Sequence, residues 1–344
     1  MFRRTGSDVE RGSLWDMLGF EICGDTSIPC YWREGLLVGT YIFKRTLSSI
    51  PVVIFVSMFV FSMMHMLPGD PLMAMVEEMP EDPVAMEALR ERMGLNDPVY
   101  VQYIRWAGRA VRGDLGQSFR SRLSVTEMIV SRWGPTLQLA MISLTISIIF
   151  GVSSGVIASL YRSLWVDNTV MVGALFFLSM PNFWLGLMAI ILFSHNLGWL
   201  PSIGMGTWQH LIMPGLTMGL SGLGTLSRLT RSTMLEVLGS DYIRTARAKG
   251  LLERTVLYKH ALRNAMLPVV TVLGMSLGAL LGGAVVIETV FARPGIGRLA
   301  VGALNGRDFP VTQGVVLVAA LMFILANLVT DLSYGFIDPR VRYD

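Results

Sequence analysis

Apolar runs constrain this chain more than any other feature. They occupy 47–66, 136–160, 169–193, 265–290 and 311–334, with a shorter one at 211–227. About 20 consecutive apolar residues cross the hydrocarbon of a bilayer as a helix. The sequence therefore predicts an all-α integral membrane protein of six transmembrane helices with both termini on the same side. Composition agrees: of 344 residues, 52% are hydrophobic and 15% charged, whereas a soluble domain carries about 25% charged residues. That balance argues against a soluble enzyme, a disordered chain and a nucleic-acid binder. The net charge of +3 reads as Lys and Arg gathered on one membrane face.

The first run follows Lys44-Arg45 and leads into Leu67-Pro68-Gly69-Asp70-Pro71 without a small-residue cleavage pattern. It reads as a retained helix and not as a signal peptide. Residues 1–44 form an N-terminal extension and 45–344 the membrane domain, with a long outer loop at 67–135. Cys23 and Cys30 lie in the extension; in a cytosolic segment they are reduced thiols, and no further metal ligands stand near them. The run 211–227 holds Pro214, Gly215, Gly219, Gly222 and Gly224, a composition tolerated at membrane depth where neighbouring helices satisfy the backbone.

Charge sets the orientation. Segment 228–263 carries Arg228, Arg231, Arg244, Arg247, Lys249, Arg254, Lys259 and Arg263 against Glu236, Asp241 and Glu253. Loop 194–210 has no Lys or Arg, and loop 291–310 has three. The positive-inside rule places 228–263 and both termini in the cytoplasm. Loop 67–135 holds many arginines on the outer side, but it is long enough to escape the rule. No Asp, Glu, Lys or Arg stands in the middle of a run. His65, Glu288 and Asp331 lie near run ends, where interface or bundle-facing roles suffice. Ion-coupled carriers need ionisable groups at mid-membrane, so this pattern argues against one.

Gly274, Gly278 and Gly282 are spaced by four, as are Gly151 and Gly155. Such stripes let a neighbouring backbone approach, either for packing within the chain or for subunit contact or pore lining. Pro181 interrupts the third run and predicts a kink. Asn182 beside it either faces a polar pathway or satisfies the carbonyl that Pro181 leaves free. Ser179, Asn182 and Thr271 are the polar candidates for lining a path.

Segment 239–268 reads GSDYIRTARAKGLLERTVLYKHALRNAMLP. Ser240 or Asp241 suits a helix start, Arg247 and Lys249 suit its last turn, and Gly250 suits a left-handed C′ position. A second helix follows from about Glu253 to Arg263. Thr245, Ala246 and Ala248 are small enough for close approach by a partner, with Tyr242 and the basic residues as anchor and rim. The alternative is a solvated basic loop.

This segment resembles the EAA loop of bacterial ABC-importer permeases. Arg244-Thr245-Ala246 stands where that family has Glu-Ala-Ala, and Gly250 matches its Gly. Leu262-Arg263 replaces the family's Leu-Pro. Those departures, DYIRTARAKG at 241–250 and HALRNAMLPVV at 260–270, are similar to the dipeptide/oligopeptide/nickel permease subfamily. Further resemblance lies in His65 to Pro71, Gly113-Asp114-Leu115-Gly116, Phe183-Trp184-Leu185-Gly186, Gly198-Trp199-Leu200-Pro201, Arg293-Pro294-Gly295-Ile296-Gly297-Arg298 and Asp338-Pro339-Arg340. Residues 1–40 fall outside it. The pattern is most similar to the first permease subunit of dipeptide and glutathione importers, with Trp208-Gln209-His210 on the glutathione side.

The resemblance implies a type I importer fold with six spans and a cytoplasmic coupling helix. It implies a second homologous permease subunit as heterodimeric partner, two ATPase subunits that hold ATP and Mg, and an extracytoplasmic peptide-binding protein, all at the bacterial inner membrane. Cargo would be a dipeptide, oligopeptide or glutathione, with nickel or another small solute as the alternative. Asp241, Tyr242, Arg244, Thr245, Ala246, Arg247, Lys249 and Gly250 would couple to the ATPases. Pro68, Gly69, Asp70, Pro294, Gly295, Gly297 and Arg298 would form an outer gate or contact the binding protein. The chain itself carries no GxxxxGK[ST] loop, HExxH or CxxC, and Gly295-x-Gly297 lacks the strand–helix context of a dinucleotide site. It reads as a transport subunit without cofactor or metal of its own, not an enzyme.

Overall fold

The computed structural model describes residues 46–62, 87, 90–91 and 96–337. Among them the chain is helical, with one isolated bridge between Gln117 and Ser124. The helices are α1 (Thr46–Ser62), α2 (Val99–Val111), α3 (Val125–Leu160), α4 (Trp165–Ser179), α5 (Asn182–Ala189), α6 (Gln209–Leu238), α7 (Asp241–Ala248), α8 (Glu253–Thr255), α9 (Arg263–Val290), α10 (Ile296–Asn305) and α11 (Phe309–Ile337). Two π-helical stretches, Ile190–Asn196 and Val256–Leu262, extend α5 and join α8 to α9.

Helix α3 starts at Val125, not at 136, and its 36 residues span about 54 Å. That exceeds the roughly 30 Å hydrocarbon layer, so its first turns project beyond it. Pro135 lies within those turns, and the Arg293 Nε–H donates to its carbonyl. Helix α6 likewise runs past 227 to Leu238. Reading apolarity alone stops both helices where the charges begin, while their backbones continue.

The third run is not one kinked span. Met180 and Pro181 take extended conformations, and the helices on either side meet at 100°. Pro removes a backbone donor and disfavours a helical residue before it. Among the described residues, two helices are long and apolar enough to cross a membrane, or three if the bent pair counts as one. The expected span 47–66 corresponds to α1, a 17-residue helix too short for that test; 63–66 lie outside the described residues.

Helices α3 and α6 form the main internal packing. A Cβ on Gly151 would come within 2.8 Å of Leu226, and one on Gly155 within 2.6 Å of the Ser227 carbonyl. Ser147 Oγ–H donates to the Gly219 carbonyl at 2.8 Å, locking the same contact. The stripe on α9 divides. Gly274 lies directly against Thr330, and Gly278 faces Phe323 of α11, whereas among the described residues nothing comes within 4 Å of a Cβ on Gly282. Packing within the chain is thus seen at Gly274 and Gly278.

Three buried clusters follow the long axis. One, at the start of α3, joins Phe61, Trp106, Val125, Ile129, Ile296 and Val311. A middle one joins Leu139, Met213, Ile287 and Phe291. One at the α7 end joins Met234, Ile243, Ala246, Val256, Ala261 and Ala265. Ile149 and Phe150 on α3 are each 55% exposed, an apolar surface suited to lipid.

Candidate functional site

At its C-terminal end, α6 continues through Gly239 and Ser240 into α7. Ser240 is extended, but its hydroxyl donates back to the Val237 carbonyl at 2.6 Å. Neither Ser240 nor Asp241 caps α7 with its side chain. The C-terminus forms as the sequence predicts. Gly250 has φ +75°, its N–H bonds the Arg247 carbonyl at 2.9 Å, and the Leu251 N–H reaches the Ala246 carbonyl at 3.4 Å. This pair of bonds is the Schellman arrangement.

Beyond the turn, Arg247 grips Glu253 by two N–H donations, at 2.7 and 3.2 Å. This bond holds the Glu253 carboxyl below its usual range. Asn264 Nδ2 donates to Tyr242 Oη at 2.8 Å, tying α7 to the start of α9. Ile243 is fully buried and belongs with Ala246 to the cluster at the α7 end. Ala246, expected among the small residues open to a partner, packs within the chain, and Thr245 and Ala248 are the small residues of α7 left exposed. The exposed face consists of Asp241, Tyr242, Arg244, Thr245, Arg247, Ala248, Lys249 and Gly250. The α7 unit is thus an apolar wedge fixed to α6 and α9, with a polar outer face that carries Arg244, Arg247 and Lys249.

An ion pair absent from the sequence reading stands above this wedge. Arg231 of α6 donates to both carboxylate oxygens of Asp167 at 2.5 and 2.6 Å. The Ser163 N–H adds a third bond, at 3.0 Å. Asp167 is 2% exposed, and the Arg231 hydrogen bond lowers its pKa despite burial. The pair fastens the α3–α4 turn to the helix that carries the wedge. Its partners are 64 residues apart, so no local pattern announces them.

The opposite end of the bundle, around α10, uses charge differently. Glu288 and Arg293 are both buried. Thr136 Oγ1–H donates to Glu288 at 2.6 Å and accepts the Ile296 N–H at 2.9 Å. The backbone N–H groups of Gly297 and Arg298 donate to the Glu288 carboxylate. The first three N–H groups of α10 are therefore satisfied by two side chains from other helices. Arg293 Nη2–H donates to Gln138 at 3.1 Å. A Cβ on Gly295 would run into the Glu288 carboxylate, and one on Gly297 into the Val285 backbone.

Gly295 and Gly297, expected at an outer gate or binding-protein contact, are thus buried and closely packed against Glu288 and Val285. Pro294 and Arg298 remain exposed. Pro68, Gly69 and Asp70 lie outside the described residues. Two recesses flank α10, one lined by Arg120 and Asp308 and the other by Arg132 and Arg298, and neither contains a path candidate. Ser179 is exposed, Thr271 donates to its own helix at Leu267, and Asn182 Oδ1 is buried without a partner. No group of three metal-binding side chains occurs among the described residues.

Comparison with known proteins matches this arrangement. Residues 147–343 match the family described as binding-protein-dependent transport system inner membrane component. Residues 38–140 match its N-terminal membrane component. The chain is 46% identical over 304 residues to the glutathione transport system permease protein GsiC of Escherichia coli (strain K12), covering 88% of this chain and 99% of that protein. The same figures hold for GsiC of Shigella dysenteriae serotype 1 (strain Sd197). Among solved structures, inward-facing MetNI methionine ABC transporter chains align with TM-scores of 0.54 and 0.51, at 19% and 22% identity. Each covers 61% of this chain and 96% of the other, a likeness of fold. The chain belongs to the inner-membrane permeases of binding-protein-dependent ABC importers, in the dipeptide/oligopeptide group, and is a multi-pass transmembrane transport component.

Proposed function

We propose that this chain forms half of a translocation path for a short peptide of the glutathione or dipeptide class. A second, homologous permease subunit supplies the other half, and both termini lie in the cytoplasm. Two ATPase subunits, which hold ATP and Mg, dock on the exposed face of α7. The six-span topology of the resembling family fits this reading, with α1, α3, the bent α4–α5 pair, α6, α9 and α11 as its spans. The cargo class is supported by 46% identity to relatives named for glutathione transport.

The observation that carries the reading is the wedge. Ile243 and Ala246 bury α7 against α6 and α9, while Arg244 and Lys249 stay outside. A force on the exposed face therefore reaches two long helices as rigid-body motion. Transport requires such a two-state bundle, biased by ATP on one side and by the loaded binding protein on the other. The test is ATP-dependent uptake by the reconstituted complex, comparing glutathione, dipeptides, longer peptides and nickel chelates. Uptake of glutathione or dipeptides above the other cargoes supports the reading. Uptake that ignores ATP and follows the proton gradient defeats it.

A further inference from the structure

Arg120 and Arg132 lie within 67–135, a stretch too long for the charge bias that sets topology to act on, so topology gives them no role. Two recesses of about 300 Å³ each meet on the small residues Gly302 and Ala303 of α10. Arg132 and Arg298 line one, and Arg120 lines the other. Arg120 and Arg298 are exposed and Arg132 is half-buried. Nothing stands within 4 Å of a Cβ placed on Gly302, so the floor between the recesses is open.

Among the described residues, no carboxylate pairs with these three guanidinium groups. Asp308 is the one acid lining either recess, and both its oxygens are engaged. Ser118 Oγ–H and the Phe119 N–H donate to them, at 2.5 and 3.1 Å. Glu288 lies buried beneath and is occupied by Thr136 and the start of α10. Among the described residues, these guanidinium groups bond to backbone alone, Arg132 to the Met128 carbonyl and Arg298 to the Ala292 carbonyl, and each fork keeps donors that no described residue takes up. The Asp308 clamp also fixes the turns that flank Arg120, holding the charges in place before any partner arrives.

We propose that these recesses are an electropositive acceptor for carboxylate side chains on the extracytoplasmic binding protein, with Arg120, Arg132 and Arg298 as donors. This rests on the importer reading above, and the family is defined by dependence on a binding protein. Guanidinium forks match carboxylates in a bidentate geometry. The recesses lie at the end of α3 opposite the α7 wedge, so the partner arrives on the outer side. A patch of one sign also steers encounter and makes capture dependent on salt.

The test titrates binding protein onto the complete importer in nanodiscs of zwitterionic lipid, at about 0.02 M and about 0.15 M ionic strength. Arg132→Glu combined with Arg298→Glu is expected to weaken capture about tenfold or more at low salt and less at high salt. Arg132→Lys with Arg298→Lys, which keeps charge, is expected to retain most of the affinity. Size-exclusion chromatography establishes that each complex assembles. If the reversed variant misassembles, Arg120→Glu alone gives the same comparison. Equal affinity and equal salt dependence for wild type and reversed variants would overturn the proposal. So would an effect seen only when anionic lipid is added, which would assign the recesses to lipid headgroups. Wild-type complex that captures no binding protein at all would instead overturn the importer reading.

Discussion

The α7 end and the α10 end of this permease each carry a short helix beside a glycine-containing turn with a basic residue, Lys249 at one and Arg293 at the other, yet they place charge in opposite positions. In α7 the buried residues are Ile243 and Ala246, and the cations face outward. At the start of α10 the buried residues include Glu288 and Arg293, and glycine lets the backbone close over the carboxylate. A basic turn is thus a surface in one case and a lock in the other. What decides is the backbone supply of donors: α10 begins on three N–H groups aimed at Glu288 and Thr136. The exposed face of α7 meets no such buried acid.

The comparison breaks first at Gly295. Gly295→Val drives a side chain into the Glu288 carboxylate, and the expected loss exceeds about 4 kcal/mol. It should appear as failure to accumulate in the membrane fraction. The same change at Gly250, in a turn with nothing within 4 Å, should cost less, through backbone strain alone.

Next comes the Asp167–Arg231 pair. Asp167→Asn leaves a partly buried guanidinium without its counter-charge, at a cost of about 2–3 kcal/mol. The pH dependence has a definite sign. The folded-state pKa of Asp167 is lowered, so the unfolded chain binds more protons between the folded value and about 4. The pair's contribution is complete above about 4 and fades as pH falls through the folded pKa. The difference in melting temperature between wild type and Asp167→Asn should shrink on acidification through that window. A difference constant across it would remove the ion pair from the account.

Ala246→Leu sharpens the α7 end. It overpacks the cluster of Met234 and Val256 and should cost about 1–3 kcal/mol, measured as a lower melting temperature in detergent. Smallest is Glu253→Gln. It weakens an exposed pair with Arg247, whose side chains are 44% and 54% exposed, and should cost under about 1 kcal/mol.

Much of the fold was legible because helices leave local signs. The apolar runs gave the membrane class, Pro181 the break in the third run, and Gly250 the end of α7. Helix ends at Val125 and Leu238 were not legible, because the backbone carries on where hydropathy stops. Nor was the direction of Ala246. An eight-residue helix has too few turns to separate its buried face from its exposed one by pattern. The polar locks were hidden for a different reason. Thr136 and Glu288 are 152 residues apart, and only the packed helices bring them together. Gly295 and Gly297 stood out in the sequence, but their residue type alone does not distinguish close packing from a contact surface.

The central claim is that the outward face of α7 carries force and the inward face carries stability. The direct measurement is peptide uptake per ATP hydrolysed by the reconstituted complex bearing Arg244→Glu with Arg247→Glu, alongside its melting temperature. The account predicts that uptake per ATP collapses while the melting temperature stays within about 3 °C of wild type, the shift expected for a surface change of under 1 kcal/mol. Wild-type uptake per ATP in that variant would contradict it.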